Sequence, residues 1–295
     1  MLRIRLGTRG SQLALIQCSL VARRLEEAGH QVELVRIVTE GDLRPVDMSP
    51  GEGVFVAAIA RALLAGEIDA AVHSAKDVPL EEEPDLVIAA YPERGDARDA
   101  LVTRDGGETL ATLPRGTTVG TDSPRRAGFL RAERSDLAVV PLHGNVDTRL
   151  GRLDGGEVGA LVLAAAGLDR LGRGARIDQR LDPAVVAPAP AQGALAVQAR
   201  RSHGELLAVL ARLDDRLVRL AVATERAVLE ATGGTCRAPV GALATASGTR
   251  FALLVAGVNS DGSDRRVERL EGSLEDAVAL AREAGGRLAA EVALR

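Results

Sequence analysis

The only lysine of the chain stands beside an aspartate, and this pair is the first candidate for chemistry. Lys and Arg together number 37 in 295 residues, and Lys76 is the single lysine among them. Lys76 and Asp77 follow a predicted buried strand at 69–74. A charged pair at the end of such a strand could stabilise a cationic intermediate or transfer a proton. An exposed ion pair that contributes little energy fits the same spacing equally well.

Cys236 is the second candidate, because it lies in a loop of glycine and proline, 233–239, rather than in a segment typical of a core. The adjacent Arg237 favours the thiolate form of a cysteine. We therefore expect Cys236 to be a covalent attachment point or a nucleophile. The other cysteine, Cys18, falls on the apolar face of a predicted helix and is expected to be a core residue. No cluster of His, Cys or carboxylate residues has the spacing of a metal site.

Arginines and hydroxyl side chains recur where predicted strands end and helices begin. The segments 8–11 and 120–126 suit anion binding by backbone N–H groups at a helix start, although a serine there can also serve only as an N-cap. Capping does not explain the adjacent Arg125 and Arg126, because cations oppose the dipole at a helix N-terminus. Each arginine alone could be a solvated surface charge. Together with Arg149, Arg152 and Arg170 they predict a crevice for a polyanionic substrate, since guanidiniums bind carboxylates and phosphates bidentately.

The elements that must position these residues alternate between strands and helices. In the first half, strands are predicted at 2–6, 31–38, 69–74 and 86–91, and helices at 11–28 and 55–64. In a second set, strands are predicted at 117–121, 137–142 and from 159 onward, and helices at 124–134 and 146–153. This alternation predicts largely parallel sheets with helices on both faces, and ligands bound at the carboxyl ends of the strands.

The rest of the chain predicts one further strand and a third domain. Residues 194–200 read as an isolated strand that we expect to return to one of the earlier sheets. After it come a helix at 217–232, strand-like stretches at 240–245, 250–258 and 265–272, and a helix at 274–294. The predicted fold class is therefore α/β, with two lobes and a small C-terminal α+β domain. The predicted domains are residues 1–93 with 194–213, residues 98–189, and residues 216–295.

Composition narrows the function classes. Hydrophobic residues make up 46% of the chain, enough for ordinary cores, but aromatic residues only 1%. A site that stacks nucleic-acid bases on aromatic rings is therefore not expected. The net charge of −4 gives no overall basicity for binding DNA or RNA. No apolar run reaches the length of a membrane span and residues 1–10 lack a signal-peptide pattern, so we expect a cytoplasmic protein.

Eight segments, taken in order along nearly the whole chain, resemble motifs of the porphobilinogen deaminase family, whose members are also called hydroxymethylbilane synthases. They are residues 9–17 (RGSQLALIQ), 69–79 (DAAVHSAKDVP), 92–99 (PERGDARD), 120–126 (GTDSPRR), 144–150 (GNVDTRL), 163–168 (LAAAGL), 190–193 (PAQG) and the loop around Cys236. Any one of them is a weak pattern, but eight in the right order make coincidence implausible.

The resemblance implies two lobes similar to those of periplasmic binding proteins and a third domain that carries the cysteine. It implies that Cys236 holds a dipyrromethane cofactor through a thioether, assembled by the enzyme from its own substrate. Four porphobilinogens would then be added with loss of ammonia at each step, and hydrolysis would release the linear tetrapyrrole hydroxymethylbilane. The implied partner is this small-molecule substrate, with no nucleic acid and no membrane, and the implied state is a monomer.

The resemblance also implies roles for individual residues. Asp77 matches the catalytic aspartate, whose fixed carboxylate would stabilise cationic intermediates through pyrrole N–H groups and shuttle a proton. The residues implied to bind cofactor and substrate carboxylates are Arg9, Ser11, Thr121, Ser123, Arg125, Arg126, Arg149 and Arg170. The other residues implied to contact or support the bound groups are Gln17, Phe55, Ser74, Lys76, His143 and Gln192.

Three positions depart from the family pattern. Glu52 replaces a lysine in a glycine-rich loop that is preceded by a shortened segment, His143 stands where the family often has arginine, and Thr235 is inserted before Cys236. The first two changes remove positive charge from the margin of the implied site. Beside an active transferase, two alternatives stay open: a binding module without turnover, and a member that loads its cofactor but elongates poorly.

Overall fold

The structure is a computed structural model that describes residues 1–38, 54–81, 83–235 and 238–292, except for the side chains of residues 54 and 55. The predictions for Glu52, Cys236 and the side chain of Phe55 lie outside the described part. The chain divides into two compact units, each treated by itself below. The first unit comprises Met1–Gly95 and Ala194–Arg219, and the second comprises Asp96–Gly193 and Leu220–Arg295.

Strands and helices alternate along most of the described chain, as the sequence predicts. The strands are β1 (Arg3–Thr8), β2 (Gln31–Arg36), β3 (Ala70–Ser74), β4 (Leu86–Ala90), β5 (Asp99–Thr103), β6 (Thr118–Gly120), β7 (Ala138–Val140), β8 (Ala160–Ala164), β9 (Gln179–Arg180), β10 (Leu195–Arg200), β11 (Val240–Ser247), β12 (Arg250–Gly257) and β13 (Arg266–Ser273). The helices are α1 (Gln12–Glu27), α2 (Val54–Leu64), α3 (Pro124–Glu133), α4 (Val146–Asp154), α5 (Ala165–Arg170), α6 (Gly204–Leu210), α7 (Arg216–Ala231) and α8 (Ala277–Glu291). None of these helices is long and apolar enough to cross a membrane.

The sheet of the first unit has the strand order β2-β1-β3-β10-β4. β1 runs parallel to both β2 and β3, whereas β10 runs antiparallel to both β3 and β4. Four strands therefore point in one direction and only β10 is reversed. The prediction that residues 194–200 return to an earlier sheet is confirmed, because β10 lies between two strands from the first ninety residues.

Helices cover both faces of this sheet. On one face, α1 buries Cys18, Val21 and Leu25 in a core that also contains residues of β1, β10 and α6. On the other face, α2 buries Ile59 and Leu63 in a separate cluster. Aliphatic side chains three and four residues apart form one stripe on a helix, which is why each helix has a single buried face.

The sheet of the second unit repeats the arrangement of the first, with the order β7-β6-β8-β5-β9. β6 runs parallel to β7 and β8, and β5 is the reversed strand, antiparallel to β8 and β9. β5 has no counterpart among the predicted strands, although all of its residues are buried. In each sheet the reversed strand is the first strand after the chain crosses from the other unit. The chain leaves the first unit at Gly95 and forms β5, and it leaves the second unit at Gly193 and forms β10.

The second unit also contains an antiparallel sheet, β11-β12-β13, together with most of α7 and with α8. The final helix begins at Ala277, three residues later than predicted. Residues 274–276 form a turn in which Asp276 N donates to Ser273 Oγ at 3.3 Å, so the capping residues precede the helix instead of starting it. The two sheet-and-helix lobes and the small α+β part confirm the predicted fold class. The domain bounds stay a prediction.

Helices α7 and α8 approach each other closely at Gly285. A Cβ atom added at Gly285 would lie 2.6 Å from the carbonyl oxygen of Val228 and 2.9 Å from the Cβ of Ala231. The next residue, Gly286, faces open space, and a Cβ there would meet nothing within 4 Å. The absent side chain at Gly285 is therefore what allows α8 to rest on the backbone of α7.

We expect Gly285→Ala to destabilise the protein and Gly286→Ala to stabilise it. The first substitution forces the helices apart, and overpacking of this kind costs about 1–3 kcal/mol. The second removes backbone freedom from the unfolded chain at an exposed helix position, which contributes about 0.5–1 kcal/mol. Thermal unfolding of the two variants checks both signs. Equal melting temperatures for the adjacent variants would contradict the close helix contact.

Candidate active site

In the first unit, four of the predicted site residues follow strands that end at one edge of the sheet, namely Arg9, Ser11, Lys76 and Asp77. β1 and β3 are parallel neighbours, so the residues that follow them emerge at the same edge. Ser11 is the N-cap of α1, and its hydroxyl accepts a hydrogen bond from Ala14 N at 3.3 Å. The capping role proposed for Ser11 is thus present. Arg9, partly buried, lies between the end of β1 and this cap.

Gln17 and Ser74 are brought together between α1 and the end of β3. Gln17 is buried, and its Nε2 donates to Ser74 Oγ at 3.0 Å. The neighbouring His73 points into the unit, where its Nε2 lies 3.2 Å from Gln198 Oε1. Burial lowers the pKa of His73 to about 4, although the contact with Gln198 opposes this shift. His73 is therefore neutral near pH 7 and belongs to the scaffold that holds Ser74.

Lys76 and Asp77 lie on a short 3-10 turn, Ala75–Asp77, directly after β3. The backbone of this turn is fixed, since Ala75 N donates to Ala194 O at 2.9 Å and Val78 N donates to Ala75 O at 3.3 Å. Ala75 and Val78 are buried, whereas Asp77 is exposed. The turn thus presents an accessible carboxylate from a hydrogen-bonded backbone at the carboxyl end of a strand.

In the second unit, Arg125 and Arg126 are both buried and both contact one carboxylate. Arg125 Nη1 lies 2.7 Å from Asp99 Oδ2, and Arg126 Nη2 lies 2.8 Å from Asp99 Oδ1. Arg125 also donates to the carbonyl oxygen of Ala187. Gln192 completes the group, because its Nε2 donates to Asp99 Oδ1 at 3.0 Å and its Oε1 accepts from Arg126 at 3.4 Å.

This cluster of Asp99, Arg125, Arg126 and Gln192 is held together by strong electrostatics. Burial alone would raise the pKa of Asp99, but the two guanidiniums lower it well below its usual value. Burial also lowers the pKa of Arg125, and Asp99 offsets part of that shift. One carboxylate compensates one of two guanidiniums, so the cluster keeps a net positive charge that suits an anionic ligand.

Arg149 is the clearest candidate for contact with an anion. Its side chain is partly buried, and its Nε is fully buried with no hydrogen-bond partner among the described residues. Burial and the nearby Arg126 lower its pKa to about 10, while Asp122 acts in the opposite direction. A buried donor without a partner is costly. A ligand carboxylate would supply the missing acceptor, so the residues present fit a cofactor and substrate that carry carboxylates.

The remaining predicted residues of the second unit lie around these arginines. Ser123 is the N-cap of α3, and its N–H donates to Thr121 Oγ1 at 3.2 Å. His143 Nδ1 lies 2.9 Å from Asp122 Oδ1. Arg170, at the end of α5, donates to the carbonyl oxygen of Gly193 at 2.8 Å. The hydroxyl of Ser123 caps the helix by accepting from Arg126 N at 3.4 Å, as the sequence allowed, and His143 is a neighbour of the Asp122 carboxylate.

Sequence reasoning missed Asp99, although the residue stood inside a recognised motif, PERGDARD. The clustering of charge, proline and glycine at 92–100 predicts a domain boundary there instead of a strand. The short apolar run that follows, 100–102, was the available signal for a buried strand that begins with a buried acid. Cys236 is outside the described residues, but α7 precedes its loop and β11 follows it.

Comparisons with known proteins identify the family. The model of the porphobilinogen deaminase dipyrromethane cofactor binding domain matches residues 4–208, and that of the porphobilinogen deaminase C-terminal domain matches residues 219–293. The porphobilinogen deaminase of Acidothermus cellulolyticus is 48% identical over 98% of this chain and 88% of its own. Those of Mycobacterium tuberculosis and Cutibacterium acnes are each 51% identical over 82% of this chain, and 78% and 76% of their own.

Similar solved structures include a periplasmic VFT2 domain of BvgS from Bordetella pertussis and a periplasmic binding protein of Salmonella typhimurium with high arginine specificity. The first is 18% identical over 72% of this chain and 86% of its own, with a TM-score of 0.44. The second is 14% identical over 74% of this chain and 94% of its own, with a TM-score of 0.43. Likenesses at this level carry no argument about the chain.

The fold and the side chains define an α/β protein with an accessible carboxylate on a turn of the first unit and a buried arginine cluster in the second. The chain belongs to the porphobilinogen deaminase family. The predicted function is confirmed, as is the predicted dipyrromethane cofactor: the family performs hydroxymethylbilane synthesis in tetrapyrrole formation, with porphobilinogen as its substrate.

We expect Asp99→Asn to destabilise the second unit by about 3–5 kcal/mol, because it leaves buried guanidiniums without a counter-charge. The matched control is Asp154→Asn, which breaks an exposed ion pair with Arg176 and is expected to cost about 0–1 kcal/mol. Chemical denaturation at pH 7 measures both changes. An equal loss in the two variants would contradict the role of Asp99.

The same variant has an expected pH dependence. Since the pKa of Asp99 is lower in the folded protein than in the unfolded chain, its ionised form stabilises the fold above the unfolded pKa, about 4. That contribution is lost as the pH falls through the lower, folded value. The difference in stability between the wild type and Asp99→Asn should therefore shrink below pH 4.

Proposed function

We propose that Asp77 is the catalytic carboxylate of this porphobilinogen deaminase, that Cys236 carries the dipyrromethane, and that the arginines bind the carboxylates of the bound pyrroles. The family supplies the reaction, and the positions matching its motifs supply the residues. The observation that carries the assignment of Asp77 is its exposed carboxylate on the fixed turn after β3.

The charge on Asp77 suits the chemistry of porphobilinogen. Loss of ammonia from the substrate leaves a cationic azafulvene, and condensation puts a further positive charge on a pyrrole ring. A carboxylate held at a fixed distance stabilises both cations through the pyrrole N–H groups and accepts the proton that is released. The fixed backbone at Ala75 and Val78 supplies the preorganisation that this role requires.

The arginines suit the side chains of the pyrroles. Every porphobilinogen unit carries an acetate and a propionate, so a growing chain is a dense polyanion. The net positive cluster at Asp99 and the buried Nε of Arg149 offer charge and an unused donor to such groups. When bound, the dipyrromethane supplies the terminal pyrrole carbon to which the next unit is joined.

The remaining parts of the proposal concern the domain bounds, the oligomeric state, the location and the partners of the enzyme. The domains are residues 1–93 with 194–213, residues 98–189, and residues 216–295, the last carrying Cys236. The enzyme acts as a monomer in the cytoplasm and binds neither nucleic acid nor membrane. The net charge of −4 and the low aromatic content support the absence of nucleic-acid binding.

Poor elongation is a second candidate, and one observation favours it. His143 lies beside Asp122, which is also close enough to Arg149 to influence its pKa. An anion at this position opposes the binding of further carboxylates. Single-turnover product analysis distinguishes the two: an efficient enzyme gives the tetrapyrrole, whereas a poor one accumulates shorter covalent chains.

We expect the intact mass of the purified protein to exceed the sequence mass by two pyrrole units, and to rise in further pyrrole-unit steps when porphobilinogen is added. Cys236→Ser should abolish the increment. Cys18→Ala is the matched control and should keep it, because Cys18 is buried and its thiol pKa is raised by burial to about 12. A folded wild-type protein of unchanged mass would overturn the proposal.

Asp77→Glu should keep the two-unit increment but lower the rate of chain growth by about a hundredfold or more, because the longer side chain displaces the charge. Asp85→Glu, at an exposed position before β4, is the control and should leave the rate unchanged. Quenched-flow mass spectrometry of loaded protein gives both rates. Similar rates for both variants would remove Asp77 from the catalytic role.

A further inference from the structure

Glu225 is a fully buried carboxylate on α7 that the proposed chemistry does not use. Its two oxygens accept hydrogen bonds from two separate segments. Oε2 accepts from Ala191 N at 2.6 Å, and Oε1 accepts from Ala244 N on β11 at 2.7 Å. Glu225 thus ties the two elements that flank the loop of Cys236 to the turn at Pro190–Gly193.

The turn that Glu225 holds has an unusual backbone. Ala191 has a φ of +65°, in the left-handed region that a residue with a Cβ adopts only when its surroundings demand it. Ala191 is buried, and Gln192 N closes the turn by donating to Ala189 O at 2.9 Å. The hydrogen bond from Ala191 N to Glu225 stabilises this left-handed conformation.

The same turn supports the proposed carboxylate-binding arginines. The side chain of Gln192 lies between Asp99 and Arg126 and contacts both. Gly193, the next residue, accepts a hydrogen bond from Arg170 at 2.8 Å. A change in the backbone at Ala191 would therefore move the partners of two arginines at once.

We infer that Glu225 is a positioning residue, which fixes the Pro190–Gly193 turn and thereby sets Arg126 and Arg170 for the carboxylates of the substrate. This inference rests on the proposed function of the arginines. It assigns Glu225 no contact with substrate or cofactor. Its effect passes through Ala191 to Gln192 and Gly193.

The test compares Glu225→Gln with Arg265→Leu. The amide introduced by Glu225→Gln would place an N–H₂ donor opposite one backbone N–H, so one of the two hydrogen bonds is lost. Arg265 stabilises the same unit, through an ion pair with Glu133 at 2.9 Å, a hydrogen bond to Ala184 O and a contact with the ring of Phe129, and none of these partners lies in the turn. Both variants should lower the melting temperature. A change seen only in Glu225→Gln therefore comes from the turn and not from a general loss of stability.

We expect Glu225→Gln to raise the KM for porphobilinogen about tenfold while the intact mass still shows the cofactor. Hydrogen exchange in a peptide covering 188–194 should become faster in the same variant. Arg265→Leu should change neither KM nor exchange in that peptide. An unchanged KM or unchanged exchange in Glu225→Gln, or equal changes in Arg265→Leu, would overturn the inference.

Rescue gives a second readout. Adding Ala191→Gly to Glu225→Gln should bring KM back toward the wild-type value, because glycine adopts the left-handed conformation without the help of Glu225. Failure of this rescue would contradict the inference. If Glu225→Gln does not fold, Glu225→Asp takes its place with the same expected KM, exchange and rescue, and a folded Glu225→Asp without these changes overturns it. Wild-type turnover in the same assay tests the proposed function separately, and the exchange data do not depend on activity.

Discussion

The shared contact of Asp99 with two guanidiniums is the constraint on which the second unit depends. Two adjacent arginines can be buried only where an anion compensates them, and Asp99 provides that anion at the first residue of β5. The contact joins the start of a strand to the first turn of α3, and Gln192 adds the turn before β10. Because one carboxylate faces two cations, the cluster is stable and still positive.

Stability and binding place opposite demands on these arginines. Asp99 satisfies the fold, whereas Arg149 keeps a buried Nε without a partner among the described residues and has a lowered pKa. A buried donor of this kind lowers the stability of the protein while no ligand is bound. A ligand that supplies the acceptor accounts for its presence. Asp77 shows a different solution, since its backbone is anchored and its carboxylate is accessible. The anchored, accessible carboxylate of Asp77 thus lies in the first unit, and the unsatisfied donor of Arg149 lies in the second.

Local patterns in the sequence predicted most elements, while contacts distant in sequence were not predictable. Ser11 and Ser123 were recognisable as helix starts because a cap depends on the next three residues. The order of motifs identified the family. The pairing of Arg125 and Arg126 with Asp99 spans more than twenty residues, and no periodicity reveals it. For the same reason no local pattern predicts the hydrogen bonds of Glu225 with Ala191 N and Ala244 N.

A crystal structure of the protein purified with its cofactor tests the central claim most directly, namely that the buried guanidiniums are set for carboxylates of a pyrrole chain. The account predicts density continuous from the Sγ of Cys236 and a pyrrole carboxylate within hydrogen-bond distance of Arg149 Nε, about 2.7–3.2 Å. A cofactor bound to another residue would contradict the account. So would a cofactor whose carboxylates all face solvent while Arg149 Nε remains without an acceptor.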